Sequence, residues 1–199
     1  ILSEAEGLLR HVVITRQADF GIYDALNRAV RLSTGDYYLV LGADDTLESD
    51  AIENYKKVLF ESRADLVTAK VASGHVVRGP RSKPWGWLYG QFAYVSAHAV
   101  GLLIRRDLHQ SVGLYSRKFP IAADQLFILQ AIRQGAIVKQ VHFVAGRFDS
   151  ANGTSSQDVL GTLTEGFRVQ VLVGHALPLQ LILFVLRVLK NWRAICRRR

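Results

Sequence analysis

The apolar run Tyr37-Tyr38-Leu39-Val40-Leu41 is followed at once by the turn Gly42-Ala43-Asp44-Asp45. The run has no polar alternation, so as a strand it has to be covered on both faces. Just upstream, Ile22, Leu26, Ala29 and Val30 recur at helical spacing, and Gly35 predicts a left-handed cap that closes the helix. A helix that feeds a doubly covered strand confines the chain to an α/β architecture. In open sheets of that class, ligands sit beyond the carboxyl ends of the strands, which is where Asp44 and Asp45 stand.

The rest of the chain keeps the alternation. Ser49 and Asp50 predict the capped first turn of a helix through about Phe60. Ala64 to Val71 reads as the next strand, and Ser73 to His75 as a turn. The stretch RGPRSKPWGWLYGQ has no clean period and predicts a long functional loop. GLLIRRD resumes a strand that breaks at Arg105–Asp107 into a short helix. ADQLFILQAIRQG predicts a helix whose buried stripe is Leu126, Ile128, Leu129 and Ile132, ended by Gly135. AIVKQVHFVAGRF supplies one or two strands. The opening, ILSEAEGLLRHVVIT, reads as the end of a helix and a short strand, and it lacks the pattern of a signal peptide.

Composition narrows the partners. With 199 residues and 49% hydrophobic side chains, the chain has room for a core of one mixed domain. A single cysteine, Cys196, excludes a disulfide scaffold and a four-thiolate zinc site and suits a reducing compartment. The formal charge of +8 permits an anionic partner: nucleic acid, a phosphorylated substrate or an acidic membrane. The basic residues are scattered or gathered in the tail and no nucleic-acid motif is present, so nucleic acid is not expected as a partner.

Two readings of Asp44 and Asp45 follow from residue type. Carboxylate oxygens are hard ligands for Mg²⁺ or Mn²⁺, and a divalent ion there can bridge to a diphosphate. Equally, one Asp can cap the next helix while the other is solvated.

The segments ADFGIYDALNRAVRLSTGDYYLVLGADD, AHAVGLLIRRDLHQSVGLY, IAADQLFILQAIRQG and FDSANGTSS, in that order, resemble the family 2 glycosyltransferases of the GT-A fold. The similarity is to the bacterial branch that builds surface polysaccharide, and it spans roughly Thr15 to Ser156. It implies a Rossmann-like mixed sheet flanked by helices. It also implies an inverting enzyme that moves a sugar from a nucleotide-diphosphate donor to a saccharide or lipid-linked acceptor. By the same resemblance, Asp44 and Asp45 hold a divalent metal (Mn²⁺ or Mg²⁺) on the donor diphosphate, and Asp124 is the catalytic base. Asp19, Tyr23, Asp24, Asn27 and Asp44 line the donor side, and His98 lies on the acceptor side. Gly42 stands where many relatives carry the first Asp of an Asp-x-Asp. From the residues alone, Asp124 is equally an N-cap, and Asp24 and Asn27 are a polar i, i+3 pair on one helix face. Arg105 and Arg106 read as solvated surface that could reach a phosphate. Trp85, Trp87 and Tyr89 are either packing residues or a stacking surface for a sugar.

The resemblance also predicts two N-terminal strands that grip the nucleotide, and nothing before Thr15 matches them. The expectation is therefore a GT-A domain over residues 1–156 that is incomplete at its N-terminus and poorly soluble alone. A non-catalytic remnant that binds a partner or saccharide is the alternative reading. Residues 157–199 form a basic helical tail whose apolar run, Leu181 to Leu186, is flanked by Arg187, Lys190 and Arg193. The run is too short to span a bilayer and suits a helix lying on an anionic membrane surface. That places the chain at the cytoplasmic face of the inner membrane; packing of the helix on its own domain is the other possibility.

Overall fold

The computed structural model describes residues 13, 15, 18–81, 83–96, 98–148 and 158–196. The helix and strand expected at the start of the chain, the block beyond Phe148 and the three terminal arginines lie outside the described residues.

Two pairs of helix and strand open the fold: α1 (Ile22–Leu32), β1 (Tyr37–Leu39), β2 (Thr46–Leu47) and α2 (Ala51–Glu61). A hairpin follows, β3 (Leu66–Ser73) and β4 (Val76–Arg78), turning at Gly74 with φ +57°. The stretch expected to be an irregular loop is instead a series of short helical turns: Lys83–Trp85, α3 (Gly86–Tyr89) and Gly90–Ala93. Then come a turn at Ala99–Gly101, β5 (Leu102–Arg105), α4 (Leu108–Ser111), α5 (Ala123–Arg133) and a single long β6 (Val138–Arg147). Helices α6 (Val159–Leu172), α7 (Leu177–Lys190) and α8 (Trp192–Cys196) complete the described chain.

The strands form one mixed sheet of order β1-β5-β3-β6-β2, with β4 on the far part of β3. β3 runs parallel to β6 and antiparallel to β5 and β4. Successive residues of the central strands feed opposite faces. Leu66, Leu102 and Ile104 join α5 and α6 in one core, while Val67, Ala69 and Leu103 pack with Ala51 and Tyr55 of α2 in the other. That double burial explains why β3 shows no polar alternation.

Three local expectations change. β1 is only half-buried, because among the described residues it pairs with β5 alone and stands at the edge of the sheet. Gly35 does not cap α1. The helix ends at Ser33 in an extended conformation (φ −72°, ψ 143°), whose N–H donates to Ala29 O and whose hydroxyl donates to Val30 O. Those bonds satisfy the terminal carbonyls without a left-handed residue. The N-cap of α2 is Asp50, as expected, but its carboxylate accepts from the Asn54 side chain instead of from the helix backbone.

β2 starts directly after Asp45 and is held to β6 through Leu47 opposite Gly146. A Cβ at Gly146 would stand 2.3 Å from Thr46 O and 2.7 Å from Val100 Cγ2. Gly146→Ala therefore has to push β2 or the Ala99–Gly101 turn aside. The expected cost is about 1–3 kcal/mol, as for overpacked interiors. It should appear as a lower urea midpoint with an unchanged m-value.

Candidate active site

Asp124 sits in the first turn of α5, two residues after the N-cap, Ala122. It is not itself the cap that its position in the sequence allows. Asp124 as a residue is half-buried; its carboxylate is largely withdrawn from water and accepts the Tyr23 hydroxyl at Oδ1 (2.7 Å). The Gln91 side chain and the backbone N–H groups of Gln125 and Asp124 supply further hydrogen bonds. Burial nevertheless wins: it holds the Asp124 carboxyl above its ordinary value, against the lowering effect of those donors. A carboxylate so raised is a stronger base than a solvated one.

Tyr23 reaches Asp124 from α1, and its hydroxyl also lies 2.8 Å from Ile121 O. Burial first, and then the Asp124 charge, push the phenol far above its ordinary range, so it remains a donor. One proton serves two acceptors, so the hydroxyl can turn to Ile121 O whenever Asp124 is itself protonated.

The remaining polar residues of α1 are already partnered. Asn27 is 5% exposed, and its amide makes a two-way clamp on Tyr115: Nδ2 donates to Tyr115 O and Oδ1 accepts from Tyr115 N, both at 2.8 Å. Asp24 pairs with Arg117, whose hydrogen bond is the main cause of its lowered pKa. Asp24 and Asn27 do share one helix face, and that face grips the Tyr115–Arg117 segment. Asp19 pairs with Arg28. Arg106 donates to Ser33 O (2.9 Å) and Arg105 pairs with Asp65 (3.3 Å), which gives both arginines structural contacts.

The acidic pair lies beyond β1, in a turn closed by Asp45 Oδ2, which accepts from Gly42 N (2.7 Å). The Asp45 side chain is 3% exposed. A Cβ added at Gly42 would stand 3.1 Å from Asp44 Oδ1 and 3.1 Å from Asp45 Oδ2. Both carboxylates thus flank the space that a side chain at position 42 would fill, and glycine leaves it open. Two hard oxygens around an open space fit a divalent ion that keeps waters and takes its other ligands from a substrate phosphate. Among the described residues no cluster of three or more His, Cys, Asp or Glu side chains forms a closed protein cage.

His98 comes to this end of the site. Its Nδ1 stands 3.7 Å from Asp45 Oδ2, and its ring stacks on Phe148 at 4.2 Å. The same nitrogen accepts from Val100 N (3.4 Å), so the approach to Asp45 is close packing without a shared proton. The segment from Gln91 to His98 therefore touches both carboxylate groups, Asp124 at one end and Asp45 at the other. Nearer its His98 end, Ser96 N donates to the buried Thr68 Oγ1 of β3 (2.8 Å).

Residues 2–120 match the sequence pattern described as glycosyl transferase family 2. The chain belongs to glycosyl transferase family 2. "PGL/p-HBAD biosynthesis glycosyltransferase" proteins of Mycobacterium bovis (strain BCG / Pasteur 1173P2) and Mycobacterium tuberculosis (strain ATCC 25177 / H37Ra) are each 27% identical to it over 204 residues. The match covers 95% of this chain and 78% of theirs. Among solved structures, S. aureus TarS 1-349 superposes with a TM-score of 0.65 at 14% identity, over 97% of this chain. The chain spans 59% of that structure's length. TarS 1-349 in complex with UDP-GlcNAc gives 0.62 at 14% identity, over 95% of this chain and 60% of that one. The curled mixed sheet is thus the GT-A-like fold of this family.

Within this family 2 chain, two site residues escape sequence reading. Gln91 lies in a stretch without period. Glu165 is the lone acid of α6, and the single sequence clue to it is one carboxylate in a helix of mostly apolar residues. It is 7% exposed and accepts Ile121 N (2.9 Å) and Ala122 N (2.8 Å) on one oxygen, Oε2.

The raised Asp124 pKa has a consequence for stability that needs no substrate. A group that holds its proton more tightly when folded stabilises fully below its unfolded pKa of 3.8, and that contribution fades as pH rises through the higher folded value. Asp124→Asn removes this loss. The melting temperature of D124N is therefore expected to exceed that of the native chain by a margin that widens as pH rises from about 3.5 to 8. A margin that stays constant or narrows would contradict the shift.

Proposed function

We propose that this protein transfers a sugar from a nucleotide-diphosphate donor to a hydroxyl of a saccharide or lipid-linked acceptor in cell-envelope polysaccharide assembly. The observation that carries the reading is the buried Asp124, held by Tyr23 and Gln91 on a segment whose other end packs against Asp45. Support for the donor class comes from the TarS neighbour in complex with UDP-GlcNAc. Support for the setting comes from the mycobacterial relatives, which are named for PGL/p-HBAD biosynthesis.

In this mechanism Asp124 Oδ accepts the proton of the acceptor hydroxyl as that oxygen attacks the anomeric carbon. The bond from that carbon to the donor diphosphate breaks on the opposite side, which inverts the configuration. Tyr23 donates to Asp124 before the transfer and turns to Ile121 O after it. Asp44 and Asp45 are the residues that would hold Mn²⁺ or Mg²⁺, which when bound neutralises the diphosphate. A purely binding role draws no support from Gly42, because the acidic pair converges on the space it leaves.

Asp124→Asn in the intact protein is expected to cut turnover by at least about 10²-fold, in line with the loss of a general base, with nucleotide-sugar affinity retained. Asp45→Asn should instead weaken donor binding in the presence of Mn²⁺. The check is turnover beside calorimetric titration of the donor. Equal loss of turnover and affinity in D124N would sink the base assignment.

The tail is part of the proposal. Among the described residues no helix is long and apolar enough to cross a membrane. α7 turns Gln180, Phe184 and Arg187 toward the domain, so Arg187 lies on the inner face and not on the basic rim expected for it. Its outer face presents Leu181, Ile182, Val185, Leu186 and Leu189 to solvent, followed by exposed Trp192. Lys190 and Arg193 lie alongside. Such a ridge suits an anionic membrane surface, and the free, exposed Cys196 suits the reducing cytoplasmic side of the inner membrane. In sedimentation with vesicles containing phosphatidylglycerol, the protein should pellet and the double variant Ile182→Asp, Leu189→Asp should not. Equal recovery of both in the supernatant would exclude the surface.

A further inference from the structure

Helix α5 begins Ala122-Ala123-Asp124, and its N-cap alanine has no side chain able to bond the helix end. The backbone just before it also carries Ile121 O, the second acceptor for Tyr23. Locally, the Asp124 carboxylate meets the N–H groups of Asp124 and Gln125, but no neighbouring side chain holds those of Ile121 and Ala122. That duty falls to another helix. Glu165 of α6 places one carboxylate oxygen on Ile121 N and Ala122 N. It binds the N-cap N–H as the glutamate of a capping box does, but from 43 residues away. Glu165 is 7% exposed and lies against the positive end of α5.

We propose that Glu165 is a positioning residue for Asp124: by holding the Ile121–Ala122 backbone it fixes both the base and the carbonyl that shares Tyr23 with it. The proposal rests on Asp124 acting as base. It assigns α6 a part in turnover, in addition to its share of the core through Val169. A displacement of about 1 Å at a reacting group can cost 10²-fold in rate, so a loosened turn should be felt in turnover more than in binding.

Three variants separate geometry from charge. Glu165→Gln keeps a carbonyl oxygen at the same reach, able to accept both N–H groups without the charge. Glu165→Asp keeps the charge but is one methylene too short. Glu165→Ala removes both. Turnover is read as nucleoside diphosphate released from UDP-GlcNAc, or from the best donor in a panel, by the intact protein with Mn²⁺. Glu165→Ala and Glu165→Asp should lose roughly 10- to 100-fold in kcat with donor KM within about twofold, and Glu165→Gln should stay within about threefold of the parent. Hydrogen exchange of the peptide spanning residues 119–126, measured without substrate, should accelerate in the alanine and aspartate variants and not in the glutamine variant.

Asp124→Asn runs beside them. If it is inactive while Glu165→Ala keeps the parental kcat, the positioning role is wrong and the base reading stands. If Asp124→Asn turns over normally, the base reading is wrong, and the role assigned to Glu165 falls with it. A glutamine variant as slow as the alanine one, or unchanged exchange at residues 119–126 in Glu165→Ala, also overturns the proposal.

Discussion

Burial of the Asp124 carboxylate governs the arrangement around it. An ionised carboxylate taken out of water without partners costs several kcal/mol, so its surroundings have to supply donors. They come from separate parts of the chain: Tyr23 from α1, 101 residues upstream, Gln91 from the short turn before β5, and the first backbone N–H groups of α5 itself. The Tyr23 and Gln91 donors are not available until the sheet has brought α1, the 90–93 turn and α5 onto one face. The carboxylate is therefore solvated in the unfolded chain and is provided for only by the completed fold. Even then burial outweighs the donors, and the residual strain on the charge is what gives the group its basicity.

The same face shows how the irregular segments around the site are kept in place. Buried polar side chains are few, and most of them hold backbone that belongs to no strand or long helix. Asn27 clamps Tyr115, Thr68 takes Ser96 N, Glu165 takes Ile121 and Ala122, and Gln170 and Gln180 donate to Gly86 O and Trp87 O. A buried backbone group left unpaired costs about 1–3 kcal/mol, so each of these side chains replaces the ladder bond that a turn cannot make for itself. The surroundings of the candidate site are thus made largely of turns, held by amide, hydroxyl and carboxylate groups reaching out of regular elements.

That division explains what could be read from the sequence. β3, β5, α5 and the close of α5 at Gly135 (φ +92°) are written in period and composition, because the neighbours that matter are local or are simply any apolar surface. The acidic turn after β1 is legible for the same reason, since its two carboxylates are adjacent. Asn27, Gln91 and Glu165 are different. Their meaning lies in groups 88, 33 and 43 residues away, the Tyr115 backbone, the Asp124 carboxylate and the Ala122 N–H, and no local repeat encodes a distant partner. The half-buried state of β1 was missed because sheet order is a long-range property. The expected Gly35 cap failed because Ser33 satisfied the helix end first.

The tail helix α7 carries both kinds of information at once. Its outer ridge of leucine, isoleucine and valine follows the helical period and was visible as an apolar run. Its inner face holds Gln180 and Arg187, and both donate to the backbone of the Gly86–Tyr89 turn, at Trp87 O and Leu88 O. Burial lowers the Arg187 pKa, a sign that the guanidinium has given up water to make that contact. A purely peripheral anchor has no need of such a contact, because an exposed arginine serves a lipid headgroup better. The buried arginine makes sense if α7 has to keep one orientation against the turn that leads, through Gly90, into Gln91 and so to Asp124. In the proposed membrane setting, the face that meets the lipid and the face that holds the turn are two sides of one helix, so docking would orient the proposed base relative to the surface.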